Sequence, residues 1–117
     1  MQLQEWTSVK AAAIALICGA LASISHPVAA QDDMQQQAER WGRIHAAAIY
    51  CRIQTAHEFG LSAVNYFKRS GGFEKLRETY GLALLNASHT PPARDIGGDC
   101  DGLRKVYNET WTMLKGG

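Results

Sequence analysis

The stretch from Trp41 to Ile53, WGRIHAAAIYCRI, decides how this chain folds. It is the longest apolar run after the N-terminal thirty residues, and it contains Cys51. Apolar residues at three- and four-residue intervals predict an α-helix, and a helix that is apolar on nearly every side usually lies at the centre of a bundle. A second cysteine, Cys100, opens the last helical pattern of the chain. We therefore predict a Cys51–Cys100 disulfide that ties the first helix of the domain to the last.

The first thirty residues have the pattern of a cleaved signal peptide. A polar segment ending at Lys10 is followed by twelve small or apolar residues, 11–22, and the segment closes on Val28-Ala29-Ala30. A signal anchor is the alternative, although twelve residues are fewer than the roughly 20 that span a bilayer. We predict cleavage after Ala30, export to a periplasm or the cell exterior, and a single helical domain over residues 31–117. No stable membrane anchor is expected after cleavage.

Charge and size narrow the function classes. The whole chain has 12 Lys and Arg against 11 Asp and Glu, and removal of the leader takes away one of each sign, so the net charge stays at +1. This near-neutral balance lacks the excess of positive charge that is typical of proteins that bind nucleic acid or an anionic membrane. So short a domain has a small hydrophobic core. The two cysteines left after cleavage can form only one disulfide, and an oxidising compartment would preserve it. Two free thiols are the alternative.

The first helical pattern begins after Asp32-Asp33, which can cap its first amides. The pattern continues to about His57 and weakens at Gly60. Its predicted buried face has the spacing of one side of a helix and consists of Met34, Ala38, Trp41, Ile44, Ala48 and Cys51.

Two further helices are predicted between residues 62 and 87. Ser62 can cap a short second helix, and Gly71-Gly72 ends it. Gly81 within the third helix costs up to about 1 kcal/mol relative to Ala, unless it marks a close helix crossing. The apolar residues are Ala63, Val64, Tyr66 and Phe67 in the second helix and Phe73, Leu76, Tyr80, Leu84 and Ala87 in the third.

The last helix follows a loop from Asn86 to Gly98, in which Pro91-Pro92 cannot continue a helix. Asp99 can cap this helix, which is predicted from Cys100 to Lys115. Its inner face is predicted to carry Cys100, Leu103, Tyr107, Trp111 and Leu114. The sequence thus predicts an all-α domain, a small bundle of three to four helices with one disulfide.

His45 is the residue best placed to carry chemistry, because it lies within an apolar helix. No His, Cys or Asp lies three or four residues away to complete a metal pair, so a satisfied, partly buried histidine is the preferred interpretation. No nucleophile elbow, phosphate-binding glycine loop or zinc signature is present in the sequence. We therefore predict no catalytic residues, no cofactor and no metal ligands, with a small enzyme or metal carrier using His45 as the least favoured alternative.

The aromatic residues are many for so short a domain. They are either the core of the bundle or, where the bundle cannot bury them, a surface for a partner protein or a second copy. The candidate interaction surface consists of Trp41, Tyr66, Phe67, Tyr107 and Trp111.

Cys51, Cys100, Trp111 and the overall size give a resemblance to the small periplasmic acid-stress chaperones of the HdeA type, without any continuous shared motif. The resemblance implies a stress chaperone that exposes apolar surface when conditions change. The first hypothesis remains a non-enzymatic periplasmic protein that binds a partner in the cell envelope or forms a homodimer.

Overall fold

The computed structural model describes residues 33–116, and within them the chain forms four α-helices and no strand. Helix α1 covers residues 33–50, α2 covers Ala56–Ser70, α3 covers Phe73–Asn86 and α4 covers Cys100–Gly116. A short 3-10 turn, Arg94–Ile96, interrupts the connection between α3 and α4. The prediction of an all-α bundle is confirmed. The predicted leader, residues 1–30, and the predicted first residue of the mature chain, Gln31, lie outside the described part of the chain.

Helix α1 is the centre of the bundle. Three consecutive residues, Ala46, Ala47 and Ala48, are buried, so this part of the helix is covered on several sides at once. Their small side chains allow neighbouring chain segments to approach closely around the helix. Helix α2 packs against both α3 and α4. The largest fully buried side chains are Ile44, Phe59, Phe67, Leu103, Tyr107 and Leu114.

The boundary between the first two helices differs from the sequence prediction. We expected the first helix to continue to about His57 and the second to begin at Ser62, but α1 ends at residue 50 and α2 begins at Ala56. The reason is a Schellman-type ending centred on Arg52, whose φ of 59° is left-handed. The N–H of Arg52 donates to the carbonyl of Ile49 at 3.0 Å, and the N–H of Ile53 donates to that of Ala48 at 2.9 Å. Glycine usually occupies this position, and because arginine occupies it here the sequence contains no signal that the helix ends.

The close crossing of α1 and α3 occurs at Gly42 and not at Gly81. A Cβ on Gly42 would overlap the carbonyl oxygen of Tyr80 and lie 2.9 Å from the Cβ of Ala83, so only glycine fits there. A Cβ on Gly81 would meet nothing within 4 Å. The suggestion that Gly81 marks a helix crossing is therefore wrong, and its cost to the helix is not offset by packing within the described residues.

Helix α4 is fixed to the rest of the bundle by the disulfide and by its capped first turn. The Cys51–Cys100 bond joins cysteines whose Cα atoms are 5.6 Å apart, which confirms the predicted pairing of the first and last helices. The carboxylate of Asp99 accepts a hydrogen bond from the N–H of Gly102 at 2.7 Å, as expected for an N-cap. Among the helices within residues 33–116, none has the length and apolar character needed to span a membrane.

Candidate binding groove

Two arginines of α1 hold the connection between α3 and α4 in place. The guanidinium of Arg43 donates to both carboxylate oxygens of Asp95, at 3.0 Å and 2.7 Å, and Arg40 donates to the Asp95 carbonyl at 3.0 Å. These hydrogen bonds hold the pKa of Asp95 below its usual value and raise that of Arg43. Because the Asp95 side chain is 51% exposed, the pair stabilises the fold by on the order of 1 kcal/mol or less. Its main effect is to place the 3-10 turn beside α1.

A groove of about 450 Å³ lies between α1, α3 and this connection. Small side chains leave the space open, since Ala47, Ala83, Ala87 and Ala93 all line it. The remaining apolar lining is Leu82, Pro91 and Ile96, and the polar lining is Glu39, Arg43, Thr79, Asn86 and Thr90. Its volume is within the range of small-molecule sites, about 300–1,000 Å³. The groove can therefore hold an apolar molecule or side chain, with polar groups at its edges.

A second, smaller depression of about 250 Å³ lies at the C-terminal end of α1. It is lined by Ala46, Ile49, Tyr50 and Arg52 and by Ser88 and His89 from the segment after α3. Arg52 and His89 are the non-glycine residues with left-handed backbone among those described, with φ of 59° and 63°. Such conformations are uncommon away from glycine and often occur near functional sites.

We call the exposed large apolar side chains of these two helices the α1–α3 apolar surface: Ile49, Tyr50, Leu82 and Leu85, exposed by 57%, 46%, 53% and 70%. Leu82 lines the groove, whereas Ile49 and Tyr50 line the smaller depression. Apolar side chains beside concave surfaces are typical of binding sites.

His45 is held by hydrogen bonding in the interior of the bundle. Its Nδ1 lies 2.5 Å from the hydroxyl of Tyr80, and its ring packs edge-on against Phe59. Burial lowers the pKa of His45, with the neighbouring His57 as a smaller cause, and burial raises the pKa of Tyr80. Both groups are therefore neutral at neutral pH, as expected for a satisfied, partly buried histidine.

His45 lines neither depression. Within residues 33–116 no group of three or more His, Cys, Asp or Glu side chains is placed to hold a metal ion. The arrangement around His45 consists of Tyr80, Phe59 and Gly60, whose built Cβ would lie 2.7 Å from the ring. This is a packed contact without room for a substrate between the two polar groups.

The aromatic residues of the candidate interaction surface do not lie together on the outside. Trp41, Phe67 and Tyr107 are buried, and this part of the suggested surface is corrected to core. Trp41 stacks on Phe67 with ring centres 5.6 Å apart, and Tyr107 stacks on Phe59 at 4.9 Å. All three belong to the hydrophobic core, together with Ala47 and Ala48 of α1.

Tyr66 and Trp111 are only partly buried. Trp111 donates from Nε1 to the hydroxyl of Ser62 at 3.3 Å, and the Lys115 ammonium lies 4.0 Å from the centre of its ring. Ser62 therefore accepts a hydrogen bond from Trp111 and does not cap α2, which begins six residues earlier. Whether Tyr66 and Trp111 bind a partner stays a prediction.

The sequence prediction missed the groove. One signal was available, because Leu82 and Leu85 lie off the apolar stripe predicted for the third helix and so had to face outwards. The small lining residues gave no signal, since alanine is equally common in a core and at a surface.

Comparison of the chain with protein-family models, curated proteins and solved structures finds no significant match. Its function is therefore argued from the geometry of the described residues.

Proposed function

We propose that this chain is a small exported, non-enzymatic binding protein that holds an apolar ligand in the groove between α1 and α3. The observation that carries the proposal is the groove of about 450 Å³ with Leu82 half exposed at its edge. The disulfide supports a periplasmic or secreted location, because such bonds persist in oxidising compartments. The signal-like leader of the sequence supports the same location.

A ligand in the groove would remove apolar surface from water. Covering an exposed leucine side chain contributes up to about 1.5–3 kcal/mol, and Leu82 is 53% exposed. The groove is formed by contacts within the protein that do not depend on a ligand, including the bidentate Arg43–Asp95 pair. A preformed apolar site loses little free energy to ordering when a ligand binds.

A neutral apolar dye such as N-phenylnaphthylamine tests the proposal. Dye fluorescence should rise and saturate with the parent protein and should fall strongly with Ala93→Trp, which places a large ring in the groove. Ala93 is exposed and has extended backbone, so the substitution leaves the fold intact. Asn65→Trp is the matched control, because it adds the same ring at an exposed position of α2 outside the groove. Equal dye binding by the parent and Ala93→Trp would contradict the proposal.

A second copy of the chain is the competing occupant of the same apolar surface. Sedimentation of the parent should show a monomer over the concentrations used for dye binding. If the parent is a dimer that dissociates in Ala93→Trp and persists in Asn65→Trp, the occupant of this surface is a second copy of the chain and not a ligand.

The partly buried His45 favours a second candidate function, a stress chaperone that exposes apolar surface in acid. A proton on His45 would place a positive charge beside Phe59 in a partly buried site, where burial disfavours the charged form. Dye binding should then increase as pH falls below the ordinary histidine pKa of about 6.5. His45→Gln should reduce this increase, whereas His57→Gln, at an exposed position, should retain it. An acid response that is the same in all three proteins would exclude this mechanism.

A further inference from the structure

We propose that the ligand is a free, single-chain amphiphile with a carboxylate head, which Arg52 and His89 bind in the smaller depression while its alkyl chain extends along α1. The inference rests on the proposed function, because the chain of the amphiphile would occupy the groove between α1 and α3.

Charge selects an anionic head group. Arg52 and His89 line the same depression, and no acidic side chain lines it with them. Across residues 33–116 no Asp or Glu forms an ion pair with Arg52, in contrast to Arg40 and Arg43, which both contact Asp95. An arginine guanidinium matches a carboxylate with two parallel hydrogen bonds, and it keeps its charge at any physiological pH.

The position of Arg52 supports a role for its side chain. Arg52 occupies the left-handed position of the Schellman-type ending of α1, where glycine avoids the steric cost of a Cβ. His89 also has left-handed backbone and lines the same depression. Two nitrogen-bearing side chains thus line one depression from backbone positions that non-glycine residues rarely adopt.

The lining of the two depressions selects an amphiphile over a simple carboxylate. Ile49 and Tyr50 lie beside Arg52 and are largely exposed. Arg43 of the groove lies three residues before Ala46 of the smaller depression, and Ala47 of the groove lies three residues before Tyr50, so the groove and the depression share one side of α1. Tyr50 lies seven positions after Arg43, which is about 10 Å along the helix. A medium-length alkyl chain can therefore contact both.

Calorimetric titration with sodium dodecanoate below its micellar concentration tests the inference at neutral pH. Dodecanoate should bind one molecule per chain, at least about tenfold more tightly than dodecanol, because a hydrogen-bonded charge contact is lost with the alcohol. Dodecyltrimethylammonium should bind more weakly still. A carboxylate that binds no better than the alcohol would overturn the inference.

Substitutions at the depression locate the head group. Arg52→Gln, and separately Arg52→Asn, should lower dodecanoate affinity by about tenfold and leave binding of the neutral dye unchanged. Asn tolerates left-handed backbone, so the second variant retains the fold if glutamine disturbs it. His89→Gln should also weaken dodecanoate binding. Lys105→Gln is the matched control, since it removes one positive charge from α4 outside both depressions.

The remaining outcomes distinguish this inference from the proposed function. Dye binding that is blocked by Ala93→Trp, together with no preference for dodecanoate, would overturn the ligand class and leave the groove as the site. Loss of both dye and dodecanoate binding would overturn both proposals. If the protein binds vesicles of anionic phospholipid but not free dodecanoate, its partner is a membrane surface and the inference of a free ligand is overturned.

Discussion

Gly60→Ala tests how closely α2 fits against His45. A Cβ at residue 60 would lie 2.7 Å from Cε1 and 3.1 Å from Nδ1 of the His45 ring. The ring has little freedom to move, because Nδ1 lies 2.5 Å from the Tyr80 hydroxyl and Phe59 packs against it. The substitution therefore forces the ring away from Tyr80 or α2 away from α1.

Three effects determine the size of the change. Alanine is favoured over glycine within a helix by up to about 1 kcal/mol. Crowding in a packed interior costs about 1–3 kcal/mol, and a Tyr80 hydroxyl left without its partner costs about 1–3 kcal/mol more. The unfavourable effects add to about 2–6 kcal/mol, so Gly60→Ala should lower the free energy of unfolding by about 1–5 kcal/mol.

Urea denaturation followed by circular dichroism measures this change, and Gly81→Ala is the matched control. Gly81 also lies within a helix, but a Cβ there meets nothing within 4 Å. Gly81→Ala should therefore raise the free energy of unfolding by up to about 1 kcal/mol. If both substitutions stabilise the protein, the close fit of α2 against His45 is refuted.

Three further predictions concern the cross-link, the histidine and the cap of α4. Replacing both Cys51 and Cys100 by Ser should lower the free energy of unfolding by about 3–4 kcal/mol, because the bond joins residues 49 apart in sequence. Urea denaturation measures this change, and an unchanged midpoint would contradict the prediction. Burial lowers the pKa of His45, so the unfolded chain binds the proton more tightly. The stability that His45 contributes is therefore complete above the ordinary histidine pKa of about 6.5 and is lost as pH falls below it. Urea midpoints measured across this pH range should fall with pH in the parent, and His45→Gln should reduce that fall. Asp99→Ala should cost about 1 kcal/mol by removing the acceptor for the N–H of Gly102, measured as a loss in thermal midpoint that Asp101→Ala does not reproduce.

The parts of the fold that follow from local signals could be predicted from the sequence. Gly71-Gly72 ends α2 and Asp99 caps α4 because the chemistry of each turn depends only on adjacent residues. The disulfide followed from two cysteines on predicted apolar helix faces in a chain whose sequence predicts export. The end of α1 could not be predicted, because its left-handed residue is Arg52, and arginine carries no stop signal.

The groove depends on tertiary contacts and so could not be predicted from periodicity. It exists because Arg43 holds Asp95 beside α1, across 52 residues of sequence, while alanines leave space between the helices. The aromatic residues illustrate the reverse case, since Trp41, Phe67 and Tyr107 were candidates for a surface and are core. The sequence pattern indicated that they lie in apolar helices, but periodicity does not show whether a bundle of this size can bury them.

Chemical-shift mapping of the backbone amides during a dodecanoate titration tests the central claim most directly. The account predicts saturating shifts confined to two parts of the chain. These are residues 43–52, in α1 and the turn after it, and residues 79–96, in α3 and the connection that follows it. Ala93→Trp should abolish these shifts, and Lys105→Gln should not. Shifts centred on Tyr66 and Trp111 instead, with the groove unaffected, would contradict the assignment of the groove between α1 and α3 as the binding site.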